Sequence, residues 1–99
     1  MSLFVFTAQA VAGDGAGFPA GQRHAMLIFA RAGTVEEAAG IAAERVSAEG
    51  WNAVALLRRK ALSGETGDVA DDVLRQAAES ALADGCAFVV YRDPIPPDA

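Results

Sequence analysis

Cysteine and histidine occur only once each in this 99-residue sequence, as Cys86 and His24. A single cysteine excludes an internal disulfide framework. The two residues also leave no zinc-ligand spacing, because a zinc site needs three or four converging ligands. No nucleophile, base and orienting group can be assembled from a recognisable motif either. We therefore expect a protein without a metal, a cofactor or a catalytic set.

Long apolar runs are missing as well. Even Ala25–Ala30 is only six residues long, whereas a membrane-spanning helix needs about 20. The first residues, Met1–Phe6, have no basic flank and do not match a secretory signal peptide. We expect a soluble cytoplasmic protein of bacterial type that has no membrane partner.

Basic residues are outnumbered by acidic ones. The sequence has 8 Lys and Arg against 13 Asp and Glu, for a formal net charge of −5, and its pI is near 4.6. A surface that binds nucleic-acid phosphates needs a positive field. The charge balance therefore predicts no nucleic-acid partner.

Large apolar side chains are scarcer than the 53% apolar composition indicates, because 23 of these residues are alanine. A chain of this size encloses one small core. We expect a single domain over residues 1–93, followed by an extended, proline-rich tail over residues 94–99 that cannot join the interior of a sheet.

Alternating and helical hydrophobic patterns divide the domain into six elements. Strands are predicted near residues 3–11, 23–32, 51–60 and 86–92, and helices near residues 35–49 and 69–84. Thr34 and Glu37 form a capping box at the start of the first helix. Asp68 is the predicted N-cap of the second helix, and Gly50 and Gly85 follow the helix ends.

The element order ββαβαβ predicts an α+β fold, a two-layer sandwich of a four-stranded mixed sheet and two helices. Each strand–helix–strand unit is expected to be a parallel crossover, and the first two strands an antiparallel pair. The layering resembles that of ferredoxin-like sandwiches. The connectivity differs from the βαββαβ order of that fold, so the resemblance is limited to layering and implies no function.

Basic residues follow or end three of the predicted strands. If those strands are parallel, their carboxyl ends gather five cations at one edge of the sheet, where open α/β sheets bind ligands. This predicts a small-anion site; the alternative is a solvated charge mosaic in which nearby acidic residues neutralise the cations. The candidate residues are Arg31, Arg58, Arg59, Lys60 and Arg92.

Other residues could carry chemistry, but each has a structural alternative that we favour. His24 and Cys86 lie at the predicted amino ends of strands and could form a base–nucleophile pair. Free cysteine, however, is usually a buried small hydrophobe, and a histidine at a strand start is most often a partly exposed edge residue. The glycines of Gly13–Gly17 precede a strand and not a helix, which excludes a dinucleotide fingerprint and leaves a loop or lid. Trp51 and Tyr91 could line a pocket or cover the ends of the core.

Two functions remain open. The predicted central strands are apolar on both faces, so a second copy packed on the open sheet face would make a homodimeric interaction module without catalysis. The competing arrangement is a monomer with one helix on each face. The second function is binding or catalytic conversion of a small anion or carboxylate metabolite at the arginine-rich edge. In the catalytic case, His24 or Tyr91 would serve as the acid–base group.

Overall fold

The fold was obtained as a computed structural model that describes residues 2–62 and 71–96. Along the chain the elements follow as β1, β2, α1, β3, α2 and β4. Their bounds are Ser2–Ala12 for β1, Arg23–Ala32 for β2, Val35–Ala48 for α1, Trp51–Leu62 for β3, Asp72–Asp84 for α2 and Cys86–Pro94 for β4. Hydrophobic periodicity alone thus located every element within a few residues of its position.

The four strands form one sheet in the order β3-β1-β2-β4. Every neighbouring pair is antiparallel, so the predicted mixed sheet is wrong. The reason lies in the second connection: α2 leads from β3 at one edge of the sheet to β4 at the other edge, where β4 pairs with β2 in the opposite direction. Only the first connection, from β2 through α1 to β3, joins strands that run the same way, and β1 lies between them.

The helices lie on opposite faces of the sheet. Ala38 and Ala42 of α1 pack with Phe6 and Ile28, whereas α2 packs against the alternate positions of the same strands, among them Phe29. The molecule therefore has three layers, and the predicted two-layer sandwich is wrong. The connection through α2 is not a parallel crossover, so the face that α2 covers follows from its contacts: α1 and α2 pack against alternate positions of β1 and β2.

The two faces carry cores of unequal size. The α1 face holds the larger one, which includes the fully buried side chains of Phe6, Met26, Ile28 and Val46. The α2 face holds a smaller cluster around Phe29. Because α2 covers part of the second face, the apolar character of β2 and β4 on both faces is explained within one chain.

Side chains satisfy the first backbone amides of both helices. The Thr34 hydroxyl accepts a hydrogen bond from the Glu37 N–H at 3.2 Å, which confirms the predicted cap of α1. At α2, the Asp71 carboxylate accepts from the Leu74 N–H at 3.1 Å. The helix thus begins later than predicted and the N-cap is Asp71; the predicted cap, Asp68, lies outside the described residues. An N-cap must directly precede the first helical turn with an extended backbone, as Asp71 does.

Candidate functional site

The five predicted anion-site residues do not share one edge. Arg31 lies on β2 opposite Leu3, whereas Arg92 lies near the other end of the sheet, where β4 pairs with His24 of β2. His24 and Arg31 are seven residues apart on one strand, or about 23 Å at 3.3 Å per residue. The antiparallel direction of β4 therefore removes Arg92 from the predicted cluster.

Arg31 has a structural contact. Its Nη1 donates a hydrogen bond to the carbonyl oxygen of Leu82 at 2.7 Å, and its backbone N–H donates to the Gly85 carbonyl at 2.9 Å. Cationic groups hydrogen-bonded to the last carbonyls of a helix also interact favourably with its dipole. Arg31 thus fastens the end of α2 to the sheet.

The structure does not bring His24 and Cys86 together, which excludes the base–nucleophile pair and agrees with the structural alternative that the sequence favours. His24 is opposite Pro94, and Cys86 is opposite Ala30, six residues along β2 from the histidine. This spacing is about 20 Å, too far for proton transfer between the two side chains. Both residues were placed at the amino ends of strands, but those strands are antiparallel.

His24 is fully buried, and it is not the partly exposed edge residue that its position predicts. Its Nδ1 lies 2.8 Å from the Tyr91 carbonyl oxygen; because a carbonyl can only accept, Nδ1 donates. Nε2 lies 3.2 Å from the side-chain oxygen of Gln22. The ring also contacts Phe18 and Trp51, with centroid distances of 4.5 and 5.7 Å. These contacts join β2, β3, β4 and the β1–β2 loop, so His24 has a structural role.

Cys86 is buried at the start of β4. Burial raises the pKa of the Cys86 thiol above its ordinary value of 9.0, and the Arg45 charge lowers the pKa by less. A thiol that is disfavoured as thiolate is a poor nucleophile. This environment supports the structural interpretation of the cysteine.

The glycine-rich loop between β1 and β2 packs against the end of α1. The Gly13 N–H donates to the Gly50 carbonyl at 2.9 Å, and the Gly21 N–H donates to the Ala12 carbonyl at 2.8 Å. A Cβ on Gly50, whose φ is +97°, would lie 2.6 Å from the backbone carbon of Gly15. The loop is therefore a packed cover over Trp51, which is itself buried as core.

β3 forms one edge of the sheet, and its second half is regular. Residues 58–62 pair one to one with residues 7–3 of β1, whereas two register shifts interrupt the pairing nearer the start of β3. Ala53 lies in that irregular part and has a φ of +50°. The register shifts are β-bulges, which bend a strand and increase its twist. The regular edge is thus confined to residues 58–62, which we call the β3 platform.

Three consecutive cations, Arg58, Arg59 and Lys60, lie on the β3 platform, and all three are exposed. None forms an ion pair or hydrogen bond with the other residues that the structure describes. Arg58 and Lys60 are opposite Thr7 and Val5 and share the α2 face, whereas Arg59 shares the α1 face with Phe6. Both faces of the platform therefore present positive charge. The sequence identified these cations as a group, but it predicted them at the carboxyl ends of parallel strands. In the structure they lie along an edge strand that is paired with β1 on its inner side.

A small apolar notch adjoins the platform on the α1 side. Its volume is about 240 Å³. Leu57, which projects from the irregular part of β3, is 56% exposed there. The notch is lined by Phe6, Ala39, Leu56, Leu57, Arg58 and Arg59. It has room for one apolar side chain between the helix and the edge strand.

Within residues 2–62 and 71–96, no group of three His, Cys, Asp or Glu side chains converges as a metal site would require. The helices in the same part of the chain are too short and too polar to cross a membrane. Comparison with protein-family models, with curated proteins and with solved structures gives no match for this chain.

Proposed function

We propose that this protein is a non-catalytic interaction module that binds an extended, acidic segment of a partner protein as a fifth strand along β3. One observation carries the proposal: a regular, exposed strand edge bears three cations that have no partner among the described residues. An extended acidic peptide can do two things at such an edge: its backbone can pair with the strand, and its carboxylates can neutralise the cations.

The backbone supplies the first part of the binding energy. Among the described strands β3 has only β1 as a neighbour, so the outer N–H and C=O groups of residues 58–62 face away from the sheet. An extended peptide can pair with such an edge through main-chain hydrogen bonds, while alternate side chains determine specificity. A platform of five residues accommodates a short strand.

Charge selects an acidic partner over a second copy of this chain. β3 contains no acidic residue, and like charges directly opposite each other on paired strands are destabilising. Pairing of two β3 platforms would bring six cations together, whereas alternating carboxylates would pair with Arg58 and Lys60 on one face. This argument favours a hetero-complex over a homodimer paired along β3. The homodimer predicted from the sequence would instead pack through the open sheet face, part of which α2 covers.

The notch supplies a position for one apolar residue. Phe6 and Leu56 line it, and Leu57 borders it on the exposed side. Side chains of a bound strand on the α1 face would lie beside this depression. The preferred ligand is therefore acidic on the α2 face and carries an aliphatic residue on the α1 face.

Peptide titrations followed by amide NMR test the proposal. The probe is a blocked peptide of alternating glutamate and valine, and its matched control replaces every glutamate by lysine. We expect saturable shifts of the amides of residues 58–62 with the acidic peptide only, and weaker binding at higher salt because exposed charges are screened. A third peptide with one central proline lacks a main-chain donor and should bind less well.

Variants then separate charge from strand addition. Arg58→Gln combined with Lys60→Gln should weaken the acidic peptide by about tenfold or more, the scale of losing two charge-assisted contacts. Arg92→Gln removes one cation from β4 and is the control for net charge. The proposal fails if the acidic and basic peptides bind equally or if the double variant binds normally. It also fails if sedimentation equilibrium shows a dimer and the amide signals of residues 58–62 shift with protein concentration, because β3 would then be covered by a second copy.

A further inference from the structure

A second concave site lies on the α2 face, at the end of the sheet where β2 begins and β4 ends. It is a cleft of about 830 Å³, within the size range of small-molecule sites. It is lined by Gln9, Val11, Gly21, Gln22, Arg23, Pro94, Ile95 and Pro96. No residue of the β3 platform contributes to it.

Backbone hydrogen bonds fix the walls of this cleft. The Ile95 N–H donates to the Arg23 carbonyl at 2.7 Å, which attaches the segment after β4 to β2. The Ala12 N–H donates to the Gln22 carbonyl at 2.7 Å and closes the opposite wall. Pro94 lines the cleft with a ring that fixes its own φ. A ligand would therefore enter a cleft that is already formed.

The polar groups of the cleft favour an anion. Arg23 is exposed, and its guanidinium has no ion pair or hydrogen bond with the described residues. The side-chain amide of Gln9 is likewise without a partner in the described part of the chain, and none of the described residues that line the cleft is acidic. Val11 and Ile95 are half-buried and give the same cleft apolar walls.

We infer that this cleft binds a small organic monocarboxylate, with the carboxylate on Arg23 and Gln9 and an apolar body against Val11 and Ile95. A guanidinium matches a carboxylate through two parallel hydrogen bonds, and an amide N–H₂ group can donate a third. A single cation suits one negative charge better than the charge of roughly −1.5 to −2 on a phosphate monoester. Because Val11 and Ile95 give the cleft apolar walls, the ligand should carry an apolar group beside its negative charge, which an inorganic anion lacks.

Titration of the intact protein with phenylacetate, followed by amide NMR, tests the inference. We expect saturable shifts at residues 9, 23 and 95, no saturable shift with inorganic phosphate, and much weaker binding of phenylacetamide, which keeps the ring but lacks the charge. Arg23→Gln should weaken phenylacetate by about tenfold, the loss of one charge-assisted pair. The matched control, Arg92→Gln, should bind as the parent protein does.

Equal binding of phenylacetamide and phenylacetate would overturn this assignment, as would unchanged binding of phenylacetate by Arg23→Gln or shifts that map outside the cleft. It would also be overturned if neither phenylacetate nor its branched aliphatic counterpart, 4-methylpentanoate, bound saturably. The double variant Arg58→Gln, Lys60→Gln should leave phenylacetate binding unchanged, because the β3 platform does not line the cleft. Failure here and failure of the acidic-peptide proposal are therefore distinguishable.

Discussion

The two edges of the sheet are built in opposite ways. β4 begins at the buried Cys86 and is fastened to β2 by His24, whose ring donates to the Tyr91 carbonyl, and by the Ile95 N–H. Both helices pack against it. β3 has an irregular first half and an exposed, cationic second half, and among the described elements only α1 packs on it besides β1.

This difference indicates that the β4 edge is held by contacts within the chain, whereas the β3 edge is accessible to a binding partner. Unpaired edges are an aggregation hazard, and proteins protect them with bulges and charged side chains. β4 is fastened to β2 on its inner side by the His24 ring and the Ile95 N–H, and it ends at a proline, which has no main-chain donor. β3 carries both devices, and the same cations that repel another copy attract a partner of opposite charge.

Removing the His24 contact that holds β4 should lower the free energy of unfolding more than any of the substitutions described below. His24→Ala removes a fully buried ring and its bond to the Tyr91 carbonyl, and we expect it to lower the free energy of unfolding by about 2–4 kcal/mol. Urea denaturation measures this. Gln22→Ala, which removes only the more distant partner of the ring, should cost less than about 1 kcal/mol. A His24→Ala protein as stable as the parent would mean that β4 is held by strand pairing alone.

Alkaline pH should destabilise the molecule through the β4 edge. Because burial raises the pKa of Cys86 above 9.0, the unfolded thiol ionises at a lower pH than the folded one. The stabilising contribution is complete below the unfolded pKa and is lost as pH rises through the folded pKa, at up to about 1.4 kcal/mol per pH unit.

Thermal or urea unfolding of the parent and of Cys86→Ala, measured at pH 7 and at several values above 9, checks this expectation. The variant is less stable at neutral pH, so the comparison is of slopes and not of absolute stability. Equal slopes for the two proteins would contradict a protected thiol, as would rapid labelling of native Cys86 by thiol reagents.

Relieving the irregular part of β3 should stabilise the protein. Ala53 has a φ of +50°, a conformation that costs an L-residue roughly 1–2 kcal/mol and that glycine adopts readily. Ala53→Gly should therefore raise the free energy of unfolding by up to about 1 kcal/mol. Ala55→Gly, two residues along the same strand, should lower it by about 0.5–1 kcal/mol. If both changes destabilise equally, Ala53 carries no backbone strain.

The smallest effect on stability is expected on the β3 platform. Arg58→Gln with Lys60→Gln should change the free energy of unfolding by less than about 0.5 kcal/mol, because both side chains are exposed and neither is paired with a described residue. The same variant should self-associate more readily at high concentration, since its edge has lost two gatekeeper charges. Denaturation and sedimentation of one preparation test both statements; a large loss of stability would mean that the cations support the fold.

Local structure was predictable from the sequence, whereas the directions of the strands were not. The N-cap at Thr34 and the apolar face of α1 are local signals, and the structure confirms both. Nothing local in the segment around Arg92 indicates whether its strand runs with or against β2. Since α2 crosses the whole sheet, that direction depends on contacts between distant residues.

The same limit explains the site. Arg58, Arg59 and Lys60 were identified as a cationic group from their spacing, but their position on an edge follows from the strand order. His24 was misread because its partners, Phe18, Trp51 and Tyr91, come from three other segments. An aspartate is a favourable N-cap, and the sequence around the start of α2 offers three of them, at positions 68, 71 and 72. The cap is Asp71, because its backbone is extended and its carboxylate accepts from the Leu74 N–H.

Pro94 has a consequence for which edge of the sheet can be extended. An unpaired strand at each side of a sheet would allow head-to-tail addition of copies without end, as in open filaments. In this chain β4 ends at Pro94, which has no N–H to donate, and Pro96 follows. A strand added beside β4 would therefore find no main-chain donor at the last residue of that edge, whereas the β3 platform contains no proline. Of the two edges, the β3 platform is the one whose residues can all take part in backbone pairing.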